Sequence, residues 1–139
     1  MPVGPRHQAR ELALKVLFQL DNRPDDDPQA VLDYHVEDQS APPAVAQFAA
    51  ELVRGVRAHR EQLDDIIREY SRNWRLEQMG RVDRIVLRIA IYEITVARNV
   101  PVKAAINESI ELAKTFAGDE SGRFVNGILG RVAEMADAQ

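Results

Sequence analysis

Four side chains near the amino terminus could bind a phosphate group. They are Arg6, His7, Gln8 and Arg10, and they stand at the start of a segment with helical periodicity. The first turn of a helix presents unpaired backbone N–H groups and the positive end of the helix dipole, and both favour an anion. These four side chains add donors for phosphate oxygens and base edges. The segment predicts a nucleic-acid contact, with a solvated helix start as the simpler alternative.

A second group with possible nucleic-acid chemistry stands near the carboxyl terminus. Arg123 and Phe124 follow a turn of small and polar residues, 118–122. An exposed aromatic ring beside an arginine can stack an unpaired base. In the alternative interpretation Phe124 is the first buried residue of the last helix, because its spacing also fits that apolar stripe.

The other candidate groups do not combine into a catalytic or metal site. The chain has no cysteine. Its histidines lack metal-ligand spacing: His7, His35 and His59. Glu108 and Glu111 share a helix face, but no glutamate has a histidine three residues later, as two-metal carboxylate sites do. No glycine-rich phosphate loop is present, and Gly127 and Gly130 are predicted to permit close helix packing. The sequence therefore predicts no enzyme activity, no cofactor and no metal.

The elements that position these groups are predicted to be helices. Apolar residues recur at steps of three and four over most of the chain, including 9–20, 48–74, 82–94, 104–117 and 124–136. A short helix is predicted to begin near Pro28, after three aspartates. Pro24, Pro101 and Gly118 predict helix ends, and a phase shift of the stripe predicts a break near His59. The pattern favours an all-α bundle.

Several individual positions follow from these stripes. Tyr34, Trp74 and Phe116 are predicted to be buried, and Ser121 is predicted to cap the last helix. Phe18 and Asp83 do not fit the apolar faces of their helices, so either could belong to a protein-binding face or to ordinary surface.

Charge and hydropathy limit the location and the partners. The net charge is −4. Residues 24–51 contain acidic side chains and no lysine or arginine, so the rest of the chain can still present a basic face. This acidic segment either repels RNA or is a solvated surface. No apolar run approaches the roughly 20 residues of a membrane span, and no apolar signal core follows Met1, so we expect a cytoplasmic protein.

Four segments resemble the transcription antitermination factors of the NusB family. The strongest are residues 83–93 (DRIVLRIAIYE), 105–114 (AINESIELAK, after Val100-Pro101) and 124–129 (FVNGIL). Residues 6–18 resemble the arginine-rich first helix of the family. The order and spacing of these segments cover nearly the whole chain.

The resemblance implies a fold, a function and partners. It implies about seven helices in two packed halves, about 1–75 and 76–139, which form a single RNA-binding domain. It implies a factor that binds the boxA element of nascent ribosomal RNA together with NusE, a small-subunit ribosomal protein. Other Nus factors and RNA polymerase would join the larger complex.

Site residues are also implied by the resemblance. The RNA contacts of the family correspond to seven positions: Arg6, His7, Gln8, Arg10, Glu120, Arg123 and Phe124. The NusE contacts correspond to Phe18, Glu77 and Asp83. Relatives often carry arginine or lysine in place of His7 and Gln8, which implies weaker phosphate binding here. Phe18 stands where a tyrosine is common, so one interface hydrogen bond is in doubt.

Two other functions are compatible with such a chain. It could be a homodimeric scaffold or regulator that binds only protein. It could also resemble the NusB-like module of an RNA methyltransferase, although no catalytic domain or glycine-rich cofactor loop accompanies it.

Overall fold

A computed structural model describes residues 4–72 and 74–137 of the chain, and within them every regular element is helical. The seven α-helices are α1 (Pro5–Asn22), α2 (Pro28–Asp38), α3 (Pro43–Ala58), α4 (Arg60–Tyr70), α5 (Arg81–Tyr92), α6 (Val102–Ala117) and α7 (Asp119–Asp137). A 3₁₀ turn at Leu76–Gln78 precedes α5, and a π-helical turn at Glu93–Ala97 follows it. The predicted all-α fold is confirmed.

The helix ends arise from local chemistry that the sequence reveals. Asp27 caps α2 by accepting a hydrogen bond from the backbone N–H of Ala30 at 2.9 Å, and Pro28 occupies the first turn. The predicted break near His59 separates α3 from α4. Gly118 ends α6 with φ at 102°, a conformation that glycine adopts without a Cβ penalty.

The chain divides into two compact units, Met1–Arg57 and Ala58–Gln139. The boundary falls at the junction of α3 and α4. The family resemblance implied halves that meet near residue 75, and that division stays a prediction. The assignment of the whole chain to one domain stays a prediction.

In the first unit, α1 packs against α2. Leu12, Val16 and Leu20 of α1 are buried, as are Val31 and Leu32 of α2. Side-chain hydrogen bonds also connect α1 to the residues that follow it. The Gln19 oxygen bonds to the His35 ring at 2.9 Å, and the Gln19 amide nitrogen donates to Asp26 at 3.2 Å. The amino-terminal candidate residues therefore lie on a helix whose far end is fixed by both apolar and polar contacts.

In the second unit, α5 is the central helix and contacts α4, α6 and α7. All seven of its residues from Ile85 to Ile91 are buried. One of them is Arg88, whose guanidinium donates to both carboxylate oxygens of Asp64 on α4, at 2.7 and 3.2 Å. This buried ion pair holds α4 against the helix that begins next to Asp83.

Some predicted positions were wrong. Tyr34, Trp74 and Phe116 are exposed, with 62%, 54% and 37% of their surface accessible. Helix α4 ends at Tyr70, so its stripe does not reach Trp74. Helix α7 begins before Ser121, which instead donates a side-chain hydrogen bond to Asp83.

The glycines of α7 also differ from expectation. A Cβ at Gly127 or Gly130 would meet nothing within 4 Å, so no close helix contact is made at either position. The close approach is at Gly122, where a Cβ would lie 2.7 Å from Cγ of Lys114 on α6. The small residue that α6 and α7 require thus stands one turn before the glycines that the stripe indicated.

Candidate nucleic-acid interface

The amino-terminal candidates occupy the first turns of α1. Gly4 precedes the helix without a side-chain cap, and the first turn contains no acidic residue. Arg6 is exposed, and its guanidinium carbon lies 4.7 Å from the centroid of the Phe48 ring of α3. This cation–π contact orients the guanidinium while it stays accessible to solvent.

The next three candidates differ in accessibility. The His7 ring lies 3.0 Å from the Glu11 carboxylate and is partly buried. Gln8 is exposed and lines a cavity of about 400 Å³ with Glu11 and the 39–42 loop. Arg10 is buried, with 3% of its surface accessible. Arg6 and Gln8 are therefore the accessible donors of this set, and direct RNA contact by Arg10 stays a prediction.

The carboxyl-terminal candidates surround the start of α7. Glu120 and Arg123 are exposed, whereas Phe124 is partly buried. The Phe124 ring stands perpendicular to the indole of Trp74, at an interplanar angle of 86° and a centroid distance of 6.0 Å. This edge-to-face arrangement is a favourable one for two aromatic rings.

A cavity of about 280 Å³ opens beside these rings. Its walls include Trp74, Phe124, Asp83, Glu120 and Ser121. The structure thus brings together Phe124 and Glu120, predicted to contact RNA, and Asp83, predicted to contact protein. Arg123 does not line this cavity, although it is next to Phe124 in sequence.

Asp83 has a perturbed environment. The side chain is partly buried near the start of α5, and its carboxylate accepts a hydrogen bond from the Ser121 hydroxyl. Burial raises the pKa of Asp83, the bond from Ser121 opposes this, and the negative charge of Glu120 adds to the rise. The charged form of Asp83 is therefore disfavoured by its surroundings.

The other two protein-interface candidates are both accessible. Phe18 has 36% of its surface exposed, although its neighbour Leu17 is buried. Glu77 is exposed in the 3₁₀ turn. It lines another cavity that Trp74 borders, of about 430 Å³, together with three arginines: Arg68, Arg72 and Arg75. Sequence reasoning placed Trp74 in the buried stripe and did not single out these three arginines as possible binding residues. The signal was available in the spacing, since the basic residues recur every three or four positions before Trp74 and after it.

The part of the chain that the structure describes offers no cluster of three or more potential metal ligands. None of its helices is long and apolar enough to cross a membrane.

Comparisons with known proteins agree in the family that they indicate. The family model described as the NusB family matches residues 7–134. The transcription antitermination protein NusB of Symbiobacterium thermophilum is 48% identical over 134 residues, which cover 91% of this chain and 88% of the relative.

Solved structures give the same result. T. maritima NusB is 35% identical with a TM-score of 0.85, covering 96% of this chain and 93% of the other. A crystal structure of the antitermination factors NusB and NusE in complex with double-stranded RNA matches at 26% identity and a TM-score of 0.86, covering 94% and 97%. With its four sequence segments, its helical fold and these matches, the chain belongs to the NusB family.

Proposed function

We propose that this chain acts in transcription antitermination by binding a boxA-type RNA of nascent ribosomal transcripts together with NusE. One observation carries the proposal: the fold matches, over nearly its whole length, a chain in a solved complex of NusB, NusE and RNA. The accessible donors on α1 and the aromatic pair beside α7 support it, because both are chemistries that recognise RNA.

The proposal gives the residues of α1 different roles. Arg6 and Gln8 contact the RNA, since both are exposed and neither is an acid. His7 contacts it only in exchange for its bond to Glu11. Arg10 supports the helix from within and contacts the RNA only after its side chain moves outward.

At the start of α7, Phe124 stacks an unpaired base and Arg123 contacts a phosphate. Glu120 accepts a hydrogen bond from a base amino group, because a carboxylate repels phosphate but suits that donor. The combination lets this end of the second unit recognise bases as well as charge.

NusE is proposed to contact Phe18 in the first unit, and Glu77 and Asp83 in the second. A cation from NusE beside Asp83 would stabilise the carboxylate that burial disfavours. Asp83→Lys would then weaken NusE association by reversing the charge at the interface.

The function involves no catalysis and no cofactor. The factor would act in the cytoplasm, where it would join other Nus factors on RNA polymerase. The acidic segment 24–51 would discourage RNA from binding elsewhere on the first unit.

Fluorescence anisotropy of labelled boxA RNA and a scrambled control tests the proposal, with the full chain alone and with NusE. We expect a preference for boxA that strengthens when NusE is present. Equal binding of the two RNAs with NusE bound would refute it. Light scattering after size-exclusion chromatography should accompany the titration, because it measures the mass of the protein in solution. A homodimer that binds neither RNA nor NusE would favour the protein-scaffold alternative.

A further inference from the structure

Trp74 is an exposed aromatic residue to which none of the roles above applies. It stands between α4 and the 3₁₀ turn, and 54% of its surface is accessible. A large apolar side chain exposed next to a candidate binding residue is a common mark of an interaction surface. Its indole already contacts Phe124, which we propose as a stacking residue.

The ring geometry leaves room for a third aromatic group. Because Trp74 and Phe124 stand edge to face, at least one ring face of the pair is not covered by the other ring. The adjoining cavity of about 280 Å³ lies just below the size range of sites for drug-sized ligands, so it suits a single planar base.

The two cavities that Trp74 lines differ in their chemistry. The smaller one is lined by Glu120 beside the aromatic rings, and by Asp83, which we propose to contact NusE. The larger one is lined by three arginines, Arg68, Arg72 and Arg75, and by one acid, Glu77, which we propose to contact NusE. Of these, Arg68 pairs with Asp65 at 3.1 Å. Carboxyl groups accept hydrogen bonds from base amino groups and repel phosphate, whereas guanidinium groups attract phosphate.

We propose that Trp74 is a second base-stacking residue, and that the RNA backbone continues from it over Arg72 and Arg75. The occupant of the smaller cavity is an unpaired base that carries an exocyclic amino group. This inference rests on the proposed function, because it extends the RNA surface beyond Phe124. It predicts that the recognised RNA spans at least one nucleotide more than stacking on Phe124 alone would require.

The experiment uses the only tryptophan in the chain as its probe. Single-stranded boxA RNA is titrated into the full chain with NusE bound, and the change in tryptophan fluorescence on addition of RNA is measured. We expect RNA to quench this emission in the wild type, and Trp74→Ala, which lacks this tryptophan, gives the background change that comes from NusE. Because a base stacked on an aromatic ring contributes to the affinity, Trp74→Ala should weaken RNA binding about 5-fold to 150-fold.

Two further variants separate stacking from general damage. Trp74→Phe keeps a ring and should retain most of the affinity. Tyr34→Ala removes a similarly exposed aromatic residue from α2 and should leave the affinity unchanged. Circular dichroism should give the same helix content for all three variants, since both replaced residues are exposed.

The outcomes distinguish this inference from the proposed function. If the wild type binds boxA RNA without a change in emission and Trp74→Ala binds it equally well, Trp74 is not a stacking residue. If Trp74→Ala weakens NusE binding instead, with RNA affinity unchanged once NusE is saturating, the surface belongs to the protein partner and the inference is overturned. If the wild type binds no RNA at all, the proposed function fails and this inference fails with it.

Discussion

Asp64→Ala should be among the most destabilising single substitutions in the second unit. Asp64 and Arg88 are both buried and join α4 to α5 through two hydrogen bonds, at 2.7 and 3.2 Å. Arg60 also approaches Asp64, at 3.8 Å, but its side chain is exposed. Removing the carboxylate leaves the Arg88 guanidinium buried without its anion.

The magnitude follows from this burial. Breaking a buried ion pair by removing one partner costs about 3–5 kcal/mol, mostly because the remaining charge is uncompensated. The adjacent Asp65 offers a matched control, since it pairs with Arg68 at 3.1 Å while both side chains are largely exposed. Exposed pairs contribute about 0–1 kcal/mol, so Asp65→Ala should change little.

Urea unfolding followed by circular dichroism measures both free energies of unfolding. A difference of less than about 1 kcal/mol between Asp64→Ala and Asp65→Ala would refute the reasoning, because burial is what distinguishes the two carboxylates. The double variant Asp64→Leu/Arg88→Met should recover much of the loss, since apolar residues of similar volume need no partner.

Three further predictions concern single residues. Arg6→Ala should weaken RNA binding, and titrations at several salt concentrations should show the salt dependence of the affinity reduced by about one unit of slope. Arg10→Ala should instead mainly lower the melting temperature, because Arg10 is buried. Asp83→Asn should stabilise the isolated protein at neutral pH while weakening NusE binding. Folding raises the pKa of Asp83, so the folded protein is favoured in acid, where Asp83 is protonated, and this stability is lost as the pH rises through the folded pKa. The advantage of Asp83→Asn should therefore shrink on acidification. Melting curves from pH 4 to pH 7 would show the opposite trend if that carboxylate were stabilised by folding. Gly127→Ala should raise the free energy of unfolding by up to about 1 kcal/mol, because the position is helical and open; no gain in urea unfolding would contradict this.

The sequence predicted what depends on near neighbours along the chain. The helix start near Pro28, the break near His59 and the end at Gly118 were all predicted, because each depends on residues within one turn. The family segments, together with helical periodicity, also predicted the fold.

The errors concern contacts between residues far apart in sequence. Ser121 was expected to bond to its own helix and instead bonds to Asp83, 38 residues earlier. Trp74 continued an apolar spacing beyond the point where its helix ends, so the spacing no longer described a face. The pairing of Asp64 with Arg88 was not predicted either, since periodicity alone marks both as surface residues.

The π-helical turn at Glu93–Ala97 makes the second unit sensitive to chain length. The backbone N–H of Arg98 bonds to the carbonyl of Glu93, five residues earlier, and the Thr95 hydroxyl donates to the carbonyl of Ile91 at 2.7 Å. Deleting one residue here would restore regular α-helix but rotate everything after it by about 100° relative to α5. The α6–α7 hairpin would then present a different face to α5, and Phe124 would no longer meet Trp74. A single-residue deletion far from both rings could therefore separate them while leaving every helix intact.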